Sequence, residues 1–202
     1  MTWPVTLSED GITLRPLRVR DARAWKEIRT ANREWLKPWD ATVPPEAGFG
    51  ASAGEVPVTF GQMARRQRRE AIAGRMLPWA IVTDRLVGQL TVGGIVYGSL
   101  RSAYIGYWID ERAAGRGIVP RAVAMACDYC FDALRLHRIE INIRPENTAS
   151  LRVVEKLGLR EEGFRPRYLH IDGDWRDHRT FVVLADEFPE GLRSRLASRP
   201  SH

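Results

Sequence analysis

Several short segments of the chain alternate apolar and polar residues, the pattern of strands with one buried face. The first is ITLRPL, which begins at Ile12. Others are PWAIVT, RLVGQLTVGGIVYG, SAYIGYWID and HRIEINIRP, and two final strands lie in REEGFRPRYLHIDGDWRDHRTFVVL. We therefore predict about seven strands, with hairpin turns at Asp84–Arg85 and Asp172–Gly173.

Between the strands, apolar residues recur at helical spacing. A first helix is predicted after Asp21, which can serve as its N-cap, and a second from about 58 to 75. The Gly- and Pro-rich stretch between them is predicted to be a long loop, and the role of residues 44–75 stays open.

Three more helices follow in the second half of the chain. One is predicted to span about 18 residues and to end near Leu134. The next lies in NTASLRVVEKLGL, where Asn147 or Thr148 can cap the start and Gly158 the end. The tail, 186–202, is predicted to form a short helix followed by disorder.

This order of elements predicts one mixed α/β (α+β) domain over 1–202, with its core at about 12–185. We expect a twisted, mostly antiparallel sheet flanked by helices. Hydrophobic residues make up 44% of the chain and charged residues 28%, which is typical of a soluble globular protein. The N-terminal segment lacks the features of a signal peptide, and no apolar run suggests a membrane span, so we expect a cytoplasmic protein without membrane contact.

The formal net charge is +6, from 31 Lys and Arg against 25 Asp and Glu. A basic balance favours anionic ligands in a general way, and a solvated basic surface is its simplest explanation. The two cysteines, Cys127 and Cys130, have redox or zinc spacing. A zinc site would need a second pair of ligands nearby, so we favour buried small side chains and predict no metal.

The stretch RAAGRG combines chemistry and position. Gly115 and Gly117 precede an apolar helix, whose first N–H groups have no partner within the helix. Glycine lets a ligand approach the main chain, and Arg112 and Arg116 add positive charge. A phosphate cradle is one interpretation. A plain loop-to-helix joint is the other, and the residues alone leave both open.

Context favours the cradle. Arg112, Gly115 and Gly117 match Q/R-x-x-G-x-G/A, and the stretch resembles the acetyl-CoA signature of the GNAT superfamily of acetyltransferases. NTASLRVVEKLGL resembles a second family motif, with Leu159 in place of the usual Phe. The segments NREWLKPWD, YIGYWID, HRIEINIRPENTASLRVVEKLGL and YLHIDGDWRDH are similar to the RimJ/RimL branch, the ribosomal-protein N-terminal acetyltransferases, so that the resemblance extends from about Ile12 to Leu184.

The resemblance implies the GNAT fold, acetyl-CoA as co-substrate, and a gap between two strands that holds the pantetheine arm. Ser150 would act as a catalytic proton donor near the sulfur, and a backbone N–H near Trp108 would stabilise the oxyanion. Backbone N–H groups from Arg112 to Val119 would hold the pyrophosphate. The implied cofactor-binding residues are Tyr107, Trp108, Ile109, Arg112, Gly115, Arg116, Gly117, Ile118, Val119, Asn147 and Ser150.

The general base is left open, because Leu169 stands where RimL-like enzymes have a Glu. Tyr168, His170 and His178 are alternatives. An α-amine with a pKa of about 7.7–8.0 is partly neutral at physiological pH, whereas a lysine amine near 10.4 is almost wholly charged. An N-terminal acetyltransferase can therefore work with weaker base catalysis than a lysine acetyltransferase.

Trp35 and Trp39, with Tyr168 and His170, are candidates for binding the acceptor, although core packing explains the tryptophans equally well. We expect an N-acetyltransferase acting on a protein N-terminus, such as that of a ribosomal protein, and working as a monomer or homodimer. The basic surface could also contact the ribosome. Two alternatives remain: acetylation of a small amine such as an antibiotic or polyamine, and a regulator that binds acyl-CoA without turnover.

Overall fold

The computed structural model describes residues 3–44 and 59–198. Most of the predicted loop between the first two helices, and the tail residues predicted to be disordered, lie outside these ranges. The prediction of a mixed, mostly antiparallel sheet with helices on both faces is confirmed. Among the described residues, no helix is both long enough and apolar enough to cross a bilayer.

The sheet has eight strands in the order β1-β2-β3-β4-β5-β6-β8-β7. Every neighbouring pair is antiparallel except β5 and β6, which are parallel. The strands are β1 (Leu7–Glu9), β2 (Ile12–Pro16), β3 (Leu77–Val82), β4 (Leu86–Val96), β5 (Ser102–Ile109), β6 (Arg138–Ile143), β7 (Arg160–Ile171) and β8 (Asp174–Leu184).

The strand missing from the prediction is β1, which pairs with β2. Its turn contains Asp10 and Gly11, both with positive φ, of 46° and 75°. The β7–β8 hairpin was predicted from the same dipeptide, and Asp172 and Gly173 there have φ of 47° and 82°. The Asp-Gly signal was therefore present before β2 as well, but only three residues precede it in β1, too few for a visible alternation.

The helices are α1 (Ala22–Ala31), α2 (Arg33–Leu36), α3 (Phe60–Ile72), α4 (Ile118–Asp132), α5 (Thr148–Leu157) and α6 (Gly191–Ser198). Buried side chains of α4 and α5 form the main core with one face of the sheet, around the fully buried Trp79. A smaller cluster of Ile28, Ala80 and Leu86, with Trp25 and Trp108 against it, joins α1 to the other face. The sheet thus separates an α4 face from an α1 face.

Two local predictions are resolved by these helices. Asp21 stands at the N-cap of α1, but its side chain makes no cap hydrogen bond. Its carboxylate instead accepts from Arg15 and from the backbone N–H of Arg18. The predicted N-cap position is therefore confirmed, but the predicted capping by the side chain is wrong. Cys127 and Cys130 are free and buried in α4, as predicted, and burial raises the pKa of both thiols.

Candidate active site

A gap opens in the sheet between β5 and β6. The two strands pair only from Ser102 to Tyr104 on β5 and from Arg138 to Glu140 on β6. Beyond these residues both strands continue, β5 to Ile109 and β6 to Ile143, but no longer as partners. The parallel strands therefore splay toward their C-terminal ends, and each presents an unpaired backbone edge there.

The register with β4 decides which backbone groups of β5 face this gap. Asp110 N–H donates to the Val87 carbonyl at 2.7 Å, and the ladder continues with Gln89 opposite Trp108. Because hydrogen-bonded pairs alternate along an antiparallel ladder, the even-numbered residues of β5 bond to β4. The N–H groups of Tyr107 and Ile109 point the other way, into the gap.

This register corrects the proposed oxyanion donor. The Trp108 N–H is turned toward Gln89 in β4 rather than into the gap. Gly88 makes the close strand approach possible here, since a Cβ at that position would lie 2.3 Å from the Trp108 carbonyl oxygen. An N–H that is free to stabilise an oxyanion in the gap therefore belongs to Tyr107 or Ile109.

The RAAGRG stretch lies at the open end of the gap, between β5 and α4. Gly115 and Gly117 have φ of 75° and 73°, the left-handed region that favours glycine, and Gly117 is the N-cap residue of α4. The N–H groups of residues 112–114 are already bonded to Asp110 and Glu111. The available donors thus begin at Gly115 and end at Val119, before Pro120, which has no N–H. This set is shorter than the predicted one because the N–H groups of residues 112–114 are already bonded.

The buried carboxylate of Asp110 holds this loop in place through hydrogen bonds. Asp110 is fully buried and accepts from Arg85 Nη2 at 2.9 Å and from Asn32 Nδ2 at 3.1 Å. Asn32 Oδ1 in turn accepts from the Glu111 N–H at 2.8 Å. Burial alone would raise the pKa of Asp110, but the hydrogen bonds from Arg85, Asn32 and the loop outweigh it and hold the pKa below its usual value. The end of α1 is therefore connected directly to the start of the cradle.

Across the gap, Asn147 and Ser150 form the start of α5. Asn147 Oδ1 accepts from the Ser150 N–H at 3.0 Å, so Asn147, one of the two candidates from the sequence, is the N-cap. Ser150 also lies beside the Tyr107 hydroxyl, whose oxygen is buried and makes no well-formed hydrogen bond to the described residues. Burial raises the pKa of Tyr107 to about 12, although the nearby Ser150 opposes the shift.

On the α1 face, Trp108 lies in a stack that the sequence did not reveal. The Arg29 guanidinium lies 5.4 Å from the Trp108 ring centroid and 5.6 Å from that of Trp25. Arg29 also forms a two-point ion pair with Asp40, with one contact at 3.1 Å. The contact between Arg29 and Trp108 joins residues distant in sequence, so no local motif could have indicated it.

The two tryptophans of WLKPW have separate positions. Trp35 Nε1–H donates to the Ile109 carbonyl at 3.2 Å and so holds the gap-facing edge of β5. Trp39 lies under the Arg144 guanidinium at 5.3 Å, and Arg144 Nη1 donates to the Pro38 carbonyl at 2.6 Å. Arg144 follows β6 directly, so it fastens this loop beside the open end of the gap. No local pattern marks Arg144, because Trp39 and the Pro38 carbonyl are more than 100 residues away from it.

The candidate base and acceptor-binding residues on the β7–β8 hairpin lie in different surroundings. His170 is buried, and its Nδ1 lies 2.7 Å from Thr42 Oγ1, so it fastens the segment after α2 to the hairpin. His170 pairs with Trp175 across the hairpin. His178 is an odd number of residues from Trp175 on β8, so its side chain lies on the opposite face of the sheet. There it packs edge-on against Tyr168, with the ring centroids 5.4 Å apart. Leu169 is 40% exposed and offers no titratable group. No cluster suited to a metal ion occurs among the described residues.

Comparison with known proteins is consistent with this site. Residues 12–160 match the family described as an acetyltransferase (GNAT) domain. The chain is 32% identical over 173 residues to the Bacillus subtilis protein named Probable N-acetyltransferase YjcK, covering 86% of this chain and 93% of that one. It is 30% identical over 187 residues to the Escherichia coli [ribosomal protein uS5]-alanine N-acetyltransferase, covering 93% and 94%.

Among solved structures, Mycobacterium smegmatis RimJ in complex with CoA-disulfide aligns with a TM-score of 0.86 and 42% identity. The alignment covers 97% of this chain and 95% of that chain. The whole described fold, rather than one motif, is thus shared with a CoA-binding relative.

Proposed function

Because the chain belongs to the GNAT acetyltransferase family, and is an acetyltransferase that uses acetyl-CoA, we propose that it acetylates the α-amine of a protein N-terminus. The acceptor we propose is a ribosomal protein in the cytoplasm, as for the relative named for the alanine of uS5. The observation that carries the proposal is the row of N–H groups from Gly115 to Val119, which have no hydrogen-bond partner among the described residues and lie at the open end of the β5–β6 gap.

The proposed binding mode follows from this geometry. The pyrophosphate would lie on the N–H groups of the cradle, at the positive end of α4, with Arg112 and Arg116 exposed beside it. The pantetheine arm would extend from there along the odd-numbered edge of β5, where Tyr107 and Ile109 offer N–H groups. The thioester would then lie near Tyr107 and Ser150, at the narrow end of the gap.

In the proposed reaction, the neutral amine attacks the thioester carbon and forms the C–N bond directly. The negative charge passes to the carbonyl oxygen, where a gap-facing N–H of Tyr107 or Ile109 would stabilise it. Collapse of this intermediate breaks the C–S bond and releases a thiolate, and the nitrogen gives up one proton to a base or to water. No acyl-enzyme is needed, and both cysteines are buried in α4.

The pKa of Tyr107 limits what the hydroxyl groups can do for the leaving group. A thiol with a pKa of about 8.5 is a much stronger acid than Tyr107, whose pKa is about 12. Full proton transfer from Tyr107 to the thiolate would therefore be uphill, because the two pKa values differ by about 3.5. We therefore propose that Tyr107 and Ser150 donate hydrogen bonds to the sulfur, and that the thiolate takes its proton later from solvent.

A panel of acceptors tests this function. Purified protein is mixed with acetyl-CoA and peptides beginning with Ala, Ser, Gly or Met, including the N-terminus of the host's uS5, and products are read by mass spectrometry. We expect acetylation at the α-amine of at least one peptide and none at internal lysines. Turnover of spermidine alone would move the function to small amines, and absence of thiol release with every amine would indicate a non-catalytic binder.

A further inference from the structure

A row of polar side chains crosses the α1 face of the sheet from the gap toward β8. Asn142 of β6 lies two residues beyond the last pair with β5, where the gap has opened. Thr180 is its ladder partner on β8, and Thr180 Oγ1 donates to Asn142 Oδ1 at 2.8 Å. His178, two residues from Thr180, points to the same face, since side chains alternate along a strand.

The imidazole of His178 is held in one tautomer. Its Nδ1 lies 3.0 Å from the Arg176 carbonyl oxygen, which can only accept, so Nδ1 must carry the hydrogen. In the neutral ring, Nε2 then has a free lone pair, and this atom has no hydrogen-bond partner among the described residues. The ring is otherwise fixed by the edge contact with Tyr168.

The surroundings keep this ring neutral. Burial is the main cause that lowers the pKa of His178, and the nearby Arg144 lowers it further. Asp177 and Glu146 oppose the shift, and the Arg176 carbonyl opposes it through the hydrogen bond. From β7, the facing groups are Tyr168 and Arg165, the ladder partner of His178. The net effect leaves His178 able to accept a proton at neutral pH.

We propose that His178 is the general base of this enzyme, an inference that rests on the proposed transfer of an acetyl group to an α-amine. As the amine nitrogen forms its bond to the thioester carbon, the proton it must lose passes to His178 Nε2, directly or through one water. After the C–S bond breaks and the amide has formed, Nε2 releases this proton to solvent. His178 thereby does the work that Leu169 cannot.

His170 does not fit this role, although it is also buried on the hairpin. Its Nδ1 is hydrogen-bonded to Thr42, and its pairing with Trp175 places it on the face of the sheet opposite to that of His178. Arg176, which shares the face of His178, has a buried Nε with no hydrogen-bond partner in the described part of the chain.

Two substitutions separate a basic role from a structural one. In H178N the amide Nδ2 can replace Nδ1 as donor to the Arg176 carbonyl, while Nε2 is lost. In H178Q an oxygen or nitrogen can occupy the position of Nε2, but without basicity. General base catalysis contributes about 10²–10⁴-fold in enzymes, and an α-amine needs the lower end. We expect both variants to lower kcat about 100-fold and to change the Kd for CoA less than twofold.

The pH dependence of kcat gives the second readout. With His178 as the base, both the amine and His178 must be unprotonated, so log kcat of the wild type falls with a slope of 1 below about 7.7–8.0 and with a slope of 2 once His178 is protonated, below about 6.5. In H178N only the amine titrates, so the acid limb keeps a slope of 1 throughout. H137Q, which changes an exposed histidine in the segment before β6, is the control and should behave as the wild type.

The outcomes are distinguishable. A wild-type protein that acetylates no N-terminal peptide contradicts the proposed function. A wild type that is active, combined with an H178N that keeps both its kcat and its acid limb, overturns His178 as the base. Loss of activity in H178Q accompanied by full activity in H178N would assign His178 a purely structural role. Thermal melts of both variants, expected within a few degrees of the wild type, show whether each is folded.

Discussion

At the scale of single residues, the sequence predicted what depends on a few neighbours. Asn147 caps α5 and Gly158 ends it with φ of 70°, because a cap needs only one short polar side chain and a C-terminal glycine needs only its own backbone. The carboxylate of Asp21 could not be assigned in this way, because Arg15 reaches it from β2 and offers a stronger, charged donor.

Ser150 provides a test at this scale. In S150A the backbone N–H still donates to Asn147, so the cap and the CoA site remain. Loss of a hydrogen bond to a charged sulfur is worth about 1.5–3 kcal/mol, or roughly 10- to 100-fold in rate. We expect kcat to fall by at least about 10-fold in steady-state kinetics and the Kd for CoA to stay within twofold. T148A, in the same helical turn, is the matched control. An unchanged kcat in S150A would show that Ser150 has only a structural role, in the first turn of α5.

At the scale of elements, the α4 N-terminus shows why a motif can indicate a ligand without giving its contacts. RAAGRG predicted the start of α4, where Gly115 and Gly117 have positive φ in the structure. It did not show that Arg112 N–H already bonds to Asp110, because that bond depends on the burial of Asp110 under Asn32 and Arg85. Likewise, the direction of the Trp108 N–H follows from the register with β4, which no local pattern contains.

Gly117 gives the test for the cradle. A Cβ here meets only Arg121 Nη1 at 3.9 Å, so G117E adds a charge with little clash. Two unit charges 4 Å apart repel by about 4 kcal/mol at an effective dielectric of 20, so we expect the Kd for CoA to rise at least about 100-fold by calorimetry. G98E is the control, because Gly98 has a similar φ of 72°, with open space around its Cβ, in the β4–β5 turn. Equal CoA affinity in the two variants would show that the pyrophosphate lies elsewhere.

At the scale of the whole molecule, the sequence predicted the class of fold and the order of its elements, with β1 as the missed strand. The resemblance to the RimJ/RimL branch supplied the β5–β6 gap; periodicity alone would have given a continuous sheet. The acceptor side was least predictable, since Arg29, Arg144 and His178 take their partners from segments that meet only in the folded chain.

Binding of CoA between β5 and β6 is expected to stabilise the whole fold against thermal unfolding. A ligand at 100 times its Kd stabilises the folded state by about 2.7 kcal/mol, and in a chain of this size about 1 kcal/mol changes Tm by roughly 2–4 °C. We expect saturating CoA to raise Tm by roughly 5–11 °C in a thermal shift assay. Pantetheine, which lacks the pyrophosphate, should raise it less at the same concentration. No change with CoA at any concentration would contradict the binding site as a whole.

The alternation of β5 has a consequence for how freely this chain can change over evolution. If the cofactor arm is held by main-chain N–H groups of Tyr107 and Ile109, its affinity is nearly indifferent to which side chains these residues carry. Drift at Ile109 is then limited by core packing on the α4 face, and drift at Tyr107 also by the proposed role of its hydroxyl at the sulfur, while the even-numbered Gly106 and Trp108 are free to change on the acceptor side. One strand can thus keep a constant co-substrate while its opposite face adapts to a new acceptor.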